Sequence, residues 1–212
     1  MKKILLIGDS IRLGYCRYVK YAFKDVAQVY YPTENCRFTT YVIRNLHEWK
    51  KQTECGSDID LIHWNVGLWD CLRQIDGEVL IPLDEYKRNL ERICRMIRHH
   101  FPKARMIFAT STPVQEALYT GEFKRLNRDV EAYNAVAAEV ITAFGGEIDD
   151  LYTHMTGIPE EYYSDKTHFN TKEGTKHITA AVVQSIEKAL DLTASPVDYD
   201  TVYGNIESVL GF

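Results

Sequence analysis

The stretch ILLIGDS, residues 4–10 of this 212-residue chain, decides the fold. Its first four residues form a continuous apolar run, which is typical of a strand covered on both faces, as in a parallel sheet. The Gly-Asp-Ser that follows is typical of a turn that leads directly into a helix. We therefore expect a buried strand that ends at Ile7 and a helix that begins at Ser10.

Strand and helix patterns alternate along the chain after this stretch. Four further strands are predicted at residues 26–31, 60–65, 105–110 and 147–151. Apolar spacing and capping residues predict four more helices: one capped by Thr39 or Thr40, one with its N-cap at Asp84, one over residues 130–144 and one capped near Thr171. Because each crossover between parallel strands lays a helix on the sheet, the order predicts an α/β fold, a three-layer αβα sandwich around a central five-stranded parallel sheet.

The length fits a single domain over residues 1–190 and a C-terminal tail over residues 191–212. The tail contains several large apolar or aromatic residues, namely Tyr199, Tyr203, Val209, Leu210 and Phe212. Because such side chains are unfavourable in water, we expect the tail to pack on the domain or on a partner subunit in a homo-oligomer.

Composition and charge exclude several classes of protein. Lys and Arg number 25 against 30 Asp and Glu, a net charge of −5, which is the opposite of the basic surface that binds nucleic acid. No apolar run approaches the ~20 residues that span a bilayer, so no membrane partner is expected. The five cysteines are odd in number and form no C-x-x-C pair, which indicates reduced thiols. The apolar run of residues 4–7 is also too short for a signal peptide, so we expect a cytoplasmic protein.

Residues with reactive side chains follow the predicted strand ends, where the active sites of parallel sheets lie. Ser10 follows the first strand, Asn65 ends the third, and Asp165 and His168 lie in the loop before the last helix. Asp165 could fix the tautomer of His168, which could take the Ser10 proton, while the Asn65 amide could donate to an oxyanion. Plainer interpretations stay open: Ser10 as a helix cap, Asn65 as a turn residue, and the other two as a loop contact.

The Gly-Asp-Ser that ends at Ser10, the strand-end Asn65 and the late D-x-x-H element of Asp165 and His168 together resemble the SGNH hydrolases, also called the GDSL esterase/lipase family. The resemblance runs from the first residue to about Leu190. It implies a flavodoxin-like αβα sandwich with Ser10, Asp165 and His168 as catalytic residues. The implied reaction is serine ester hydrolysis through an acyl-enzyme, which requires no metal and no organic cofactor.

Two blocks depart from the family pattern, and both concern the oxyanion hole. The third block usually reads G-x-N-D but here reads H-W-N-V, so only Asn65 carries over. The second block usually supplies a Gly whose N–H donates to the oxyanion, whereas residues 34–38 contain no Gly. Since every residue except proline has a backbone N–H, that of Cys36 or Arg37 could serve together with that of Ser10.

The substrate expected from these features is a small soluble ester. The chain has no visible long apolar lid insertion, which favours short-chain acyl esters, and acetylated carbohydrate is the first choice, partly because this family often acts on it. Lysophospholipid or thioester hydrolysis is the alternative within the same class. Trp69 and Tyr163 are expected to contact the substrate with their aromatic faces, and Arg12, with Arg37, could bind an anionic group.

Two functions from other classes are also considered. One is a non-catalytic carbohydrate-binding module on the same fold, since fold does not determine function. The other is a nucleotide binder whose Gly-Asp-Ser turn holds a phosphate, although that turn lacks a Gly-rich phosphate cradle. The presence of Ser10, Asp165 and His168 together disfavours both. The spacing of the remaining histidines predicts no metal site.

Overall fold

The computed structural model of this protein describes residues 1–203. Strands and helices alternate along this part of the chain in the order β1 (Lys2–Ile7), α1 (Ser10–Ala22), β2 (Ala27–Tyr30), α2 (Thr39–Gln52), β3 (Leu61–Trp64), α3 (Leu83–His100), β4 (Arg105–Ala109), α4 (Asn127–Ala143), β5 (Glu147–Asp149), α5 (Leu151–Met155), α6 (Lys172–Leu190) and α7 (Tyr199–Tyr203). Two single turns of 3-10 helix, Glu116–Leu118 and Glu160–Tyr162, lie in the loops before α4 and α6.

The five strands form one parallel sheet in the order β2-β1-β3-β4-β5. The apolar run of β1, residues 4–7, is almost fully buried between β2 and β3. The register aligns Ile7 with Trp64 and Trp64 with Phe108, and the ring of Trp64 packs edge-on against that of Phe108. The predicted α/β sandwich with a five-stranded parallel sheet is confirmed, and its strand order is the flavodoxin-like one.

Helices cover the sheet on both faces. Helix α1 packs against α6 on one face, while α2 packs against α3 and α3 against α4 on the other. Because β2 and β3 lie on opposite sides of β1, the strand order reverses between β1 and β3. At such a switch point the loops that follow the two strands diverge toward opposite faces and leave a crevice. Ser10 and Asn65 follow these two strands, so both lie at this crevice.

Two helices begin earlier than the sequence predicts. Helix α3 begins at Leu83 behind Pro82, so Asp84 lies in the first turn and is not the N-cap that the sequence predicts. A proline fits the capping position because it has no N–H to leave unpaired. Helix α2 has Phe38 at its N-cap position, so Thr39 is its first residue and neither Thr39 nor Thr40 is the predicted cap. The N–H and the hydroxyl of Thr39 donate instead to Asp70 Oδ1, at 3.0 and 2.6 Å.

The described part of the tail lies against the domain. The N–H of Ser195 donates to the carbonyl of Ala22 at 2.8 Å, and the ring of Tyr199 stacks on that of Tyr18 with 5.3 Å between centroids. Three apolar side chains of the tail pack against the core, namely Leu192, Ala194 and Val197. The predicted packing of Val209, Leu210 and Phe212 lies outside the described residues.

Three further properties of the described residues bear on function. None of their helices is long and apolar enough to cross a bilayer. They also contain no group of three or more His, Cys, Asp or Glu side chains that could hold a metal ion. All five cysteines are free and buried.

Candidate active site

Ser10 is the first residue of α1 and lies at the carboxyl end of β1. Asp9 caps the helix, because its Oδ1 accepts a hydrogen bond from the N–H of Ile11 at 2.9 Å. The turn also comes very close to β3, since a Cβ on Gly8 would lie 1.9 Å from Asn65 Oδ1. Glycine is therefore required at this position. The turn leaves Ser10 partly exposed, with its N–H at the positive end of the α1 dipole.

His168 and Asp165 come to Ser10 from the loop before α6, although His168 is 158 positions away in the chain. His168 Nε2 is 2.7 Å from Ser10 Oγ, and His168 Nδ1 is 2.7 Å from Asp165 Oδ2. The other carboxylate oxygen of Asp165 accepts from the backbone N–H groups of Thr167 at 2.7 Å and of His168 at 2.8 Å. The fold thus brings together the three side chains that the sequence proposes as a catalytic group.

Hydrogen bonding keeps Asp165 ionised. Partial burial favours its neutral form, but the hydrogen bonds from the His168 ring and from the N–H groups of Thr167 and His168 outweigh burial and hold the pKa of Asp165 below its usual range. An ionised Asp165 favours the His168 tautomer with hydrogen on Nδ1, which leaves Nε2 to accept the Ser10 hydroxyl. This arrangement can withdraw the Ser10 proton and make the serine oxygen a nucleophile.

Asn65 lies directly after β3 and is buried beside the turn that carries Ser10. One N–H of its amide donates to Asp9 Oδ1 at 2.9 Å, and an amide nitrogen has a second N–H to donate. Burial raises the pKa of Asp9, although the hydrogen bonds from Asn65 and from the N–H of Ile11 oppose that shift. Asn65 is therefore hydrogen-bonded to the turn that carries Ser10 and has one amide N–H left to donate.

The two backbone N–H groups of the loop of residues 34–38 that are predicted to donate to the oxyanion, those of Cys36 and Arg37, already have acceptors in the structure. The N–H of Cys36 donates to the carbonyl of Gly8 at 3.0 Å, and the N–H of Arg37 donates to Asn35 Oδ1 at 2.9 Å. Neither predicted donor is free, because Cys36 ties the loop to the Ser10 turn and the Asn35 side chain closes an Asx turn over Arg37. Arg37 has a φ of 51°, in the left-handed region that favours glycine.

The prediction that Arg12 binds substrate also disagrees with the structure, because Arg12 is fully buried and does not face the cleft. Its guanidinium donates to the carbonyl oxygens of Gly8 at 3.1 Å, Pro32 at 2.8 Å and Glu34 at 2.6 Å. Successive helix residues are rotated by about 100°, so a residue two positions after Ser10 points away from the serine side of α1. Arg12 therefore holds the loop after β2 in place, and its predicted substrate-binding role is wrong.

A cleft of about 210 Å³ opens beside Ser10 and His168. Its apolar and aromatic lining residues are Leu68, Trp69, Leu72, Tyr119 and Phe123. Trp69, one of the two predicted aromatic contacts, is among them. Tyr163 is not, because its ring packs against the core and lies 4.6 Å from that of Phe169, centroid to centroid. The structure therefore does not bring Tyr163 to the lining of this cleft.

Four polar residues of the cleft are not predicted from the sequence, namely Asn35, Arg125, Lys166 and Thr167. Asn35 lies in the loop after β2 and Arg125 in the loop after β4. Both loops leave the carboxyl edge of the sheet, so applying the strand-end rule to every loop would have found these two residues. Lys166 gives no signal of its own, because exposed lysines are common in loops.

The match to a known family covers most of the chain, since residues 6–172 match the model of the GDSL-like lipase/acylhydrolase family. No curated protein matches the chain.

Three solved structures illustrate the structural similarity. A lipase/acylhydrolase from Enterococcus faecalis is 22% identical with a TM-score of 0.68, over 92% of this chain and 98% of that one. A GDSL-like lipase from Bacteroides thetaiotaomicron is 20% identical with a TM-score of 0.66, over 89% of each chain. An acetyl xylan esterase is 11% identical with a TM-score of 0.68, over 87% of this chain and 99% of that one. At these identities the similarity establishes the fold alone.

Proposed function

Because the chain belongs to the GDSL-like lipase/acylhydrolase family and is a serine ester hydrolase, we propose that it removes short acyl groups, acetyl in particular, from a small soluble ester such as an acetylated carbohydrate. The observation that carries this proposal is the hydrogen-bonded chain from Ser10 through His168 to Asp165 at the edge of a small cleft.

The proposed reaction proceeds through an acyl-enzyme on Ser10. His168 Nε2 takes the Ser10 proton as the serine oxygen attacks the ester carbonyl, and Asp165 stabilises the resulting imidazolium. The carbon–oxygen bond to the alcohol then breaks, and His168 gives its proton to the leaving alcohol. Water then attacks the acyl carbon while His168 takes one of its protons. The bond between that carbon and Ser10 Oγ breaks, the acid leaves, and His168 returns the proton to Ser10.

Three groups are proposed to stabilise the tetrahedral oxyanion. The N–H of Ser10 lies at the start of α1, and Asn65 has one N–H left after its bond to Asp9. Asn35 lines the cleft, and its Oδ1 already accepts from the N–H of Arg37, so its amide nitrogen is the group left to donate. Donors of this kind contribute roughly 10²–10³ in rate in other hydrolases.

The size of the cleft supports a short acyl group. At about 210 Å³ it is smaller than typical small-molecule sites of ~300–1,000 Å³, and it must accommodate the alcohol as well. Trp69 adds a flat aromatic surface against which a sugar ring can pack.

A lysophospholipase or thioesterase activity is the second candidate, and one observation favours it. Phe123 lines the cleft and is 53% exposed, so a longer acyl chain could extend along its ring. The non-catalytic and nucleotide-binding alternatives give no use to the 2.7 Å contact between Ser10 and His168. The buried free thiols support the further proposal of a cytoplasmic location.

The test is the initial rate of hydrolysis of p-nitrophenyl esters from acetate to octanoate, with wild type, Ser10→Ala and a control, Ser57→Ala, at an exposed serine. We expect the highest kcat/KM for acetate, a loss of at least about 10³-fold in Ser10→Ala and no loss in Ser57→Ala. Preference for octanoate would favour the second candidate. Unchanged hydrolysis by Ser10→Ala would contradict the mechanism.

A further inference from the structure

The charges that line the cleft have one sign. Its ionisable lining residues are Arg125, Lys166, His168 and Tyr119, and no Asp or Glu is among those the structure describes there. The chain as a whole carries a net charge of −5, so the cleft differs from the average surface. A concave site lined by charge of one sign concentrates ligands of the opposite sign.

Arg125 is held in position before any ligand binds. Its Nε donates to the carbonyl of Leu68 at 2.5 Å, and its Nη1 donates to the hydroxyl of Tyr119 at 3.0 Å. The guanidinium also lies 5.8 Å from the centroid of the Trp69 ring. These contacts leave Nη2 to donate, and a guanidinium fixed in this way loses little entropy when an anion binds.

Lys166 contacts the ring of the same tyrosine. Its Nζ is 4.3 Å from the centroid of the Tyr119 ring, so the two cations are placed around one aromatic side chain. Within the described part of the chain, neither cation forms an ion pair with a carboxylate. The neighbouring carboxylate of Asp165 already accepts three hydrogen bonds, from Thr167 and His168.

We propose that Arg125 and Lys166 bind an anionic group, a carboxylate or a phosphate, on the alcohol portion of the substrate. This inference rests on the proposed function, because an acetyl group has no ionisable atom and the charge must then belong to the alcohol. It takes the place of the anion-binding role predicted for Arg12, which is buried. The substrate class is thus an acetyl ester of an acidic or phosphorylated alcohol.

The experiment compares three acetate esters: 4-acetoxybenzoate, its neutral methyl ester and 4-acetoxyphenyl phosphate. The measured quantity is the kcat/KM of each anionic ester divided by that of the neutral ester, so that a general loss of activity in a variant cancels. We expect Arg125→Gln to lower this ratio about tenfold, because a charge-assisted hydrogen bond is lost, and Lys166→Gln to lower it about threefold. Arg125→Lys should restore part of the loss, and added salt should lower the wild-type ratio.

Matched controls are Arg128→Gln and Lys51→Gln, which remove exposed cations outside the cleft and should leave the ratio unchanged. The larger wild-type ratio of the two anions identifies carboxylate or phosphate as the preferred group. Equal ratios in wild type, Arg125→Gln and Lys166→Gln would overturn the inference while neutral-ester hydrolysis still supports the proposed function.

A second measurement decides the inference if no ester is hydrolysed. Calorimetric binding of 4-acetoxybenzoate and of its methyl ester to the Ser10→Ala variant should favour the anion, and Arg125→Gln added to that variant should remove the preference. Equal binding of the two esters would overturn the inference whatever the turnover.

Discussion

The two sides of the cleft differ in how their polar groups are held. On one side, Ser10, His168 and Asp165 contact each other through side chains in a simple relay. On the other side, the backbone of the loop of residues 34–38 is held by two hydrogen bonds: Arg12 donates to the carbonyl of Glu34, and the N–H of Cys36 donates to the carbonyl of Gly8. The Glu34 carboxylate also accepts from Tyr41 and Trp49 of α2. The start of α2 just after this loop is fixed by the carboxyl group of Asp70.

This difference explains why a sequence motif can predict the side-chain contacts of the site but not its backbone donors. A relay of side chains requires particular residue types, so a Gly-Asp-Ser and a D-x-x-H carry the information. A backbone donor can belong to almost any residue, and its availability depends on which acceptor the fold brings to it. The serine side is therefore readable from the sequence, and the loop side is not.

The largest expected effect is on the serine side. His168→Ala removes the group that takes the Ser10 proton, and we expect kcat/KM for p-nitrophenyl acetate to fall about 10³- to 10⁴-fold. His99→Ala, at an exposed histidine of α3, is the control and should leave the rate unchanged. Activity of His168→Ala within a few-fold of wild type would show that the relay does not carry the reaction.

The next expected effect is on stability. It concerns Asp70, which holds the first residue of α2 just after the loop of residues 34–38. Complete burial raises the pKa of Asp70 to about 7, although hydrogen bonds from the side chain and the N–H of Thr39 oppose the shift. The folded protein then keeps this proton up to about pH 7, whereas the unfolded chain releases it near pH ~3.9. Between these two pH values Asp70 is protonated in the folded protein and ionised in the unfolded chain. The free energy of unfolding that it contributes therefore falls as the pH rises from about 4 to about 7, and it is constant above pH 7.

Asp70→Asn should remove this contribution. Urea unfolding at pH 5 and pH 8 should show that wild type loses up to about 3 kcal/mol more between these pH values than the variant does. Asp76→Asn, at an exposed site, is the control. Parallel changes in wild type and Asp70→Asn would contradict a buried, protonated Asp70.

The contrast between side-chain and backbone contacts also explains how much of the fold and of the site the sequence predicts. The buried run of β1 and the alternation of elements suffice for the sheet, and the strand-end rule suffices to bring Ser10, Asn65 and His168 to one edge. Arg12 could also have been assigned correctly, since the helical repeat turns it away from Ser10. The hydrogen bonds of Cys36 and Arg37 depend on the tertiary path of the loop, which no local pattern specifies.

A substitution of Asn35 tests which group of the loop donates to the oxyanion, the Asn35 amide nitrogen or the N–H of Arg37. If its amide nitrogen donates to the oxyanion, Asn35→Ala should lower kcat about 10²-fold with p-nitrophenyl acetate. A rise in kcat would show the opposite, that the Asn35 side chain competes for the N–H of Arg37 and that this N–H is the donor. Asn45→Ala, on α2 and outside the cleft lining, controls for a general effect of the substitution.

The smallest effect tests the backbone of the loop directly. Arg37 has a φ of 51°, a conformation that costs a side chain about 1 kcal/mol and glycine almost nothing. Arg37→Ala removes the guanidinium, which lies 5.2 Å from the centroid of the Tyr41 ring, and keeps the strain. Arg37→Gly removes both, so it should be more stable than Arg37→Ala by about 0.5–1 kcal/mol in urea unfolding.

The pair Glu54→Ala and Glu54→Gly is the matched control, because Glu54 has a φ of 52° at the end of α2, far from this loop in sequence. The same gain from glycine is expected there, since the strain has the same backbone origin. Equal stability of Arg37→Ala and Arg37→Gly, with a gain at Glu54, would show that the loop side relaxes when its side chain is shortened. The Asx turn would then not fix the loop, and the N–H of Arg37 would return as a candidate donor.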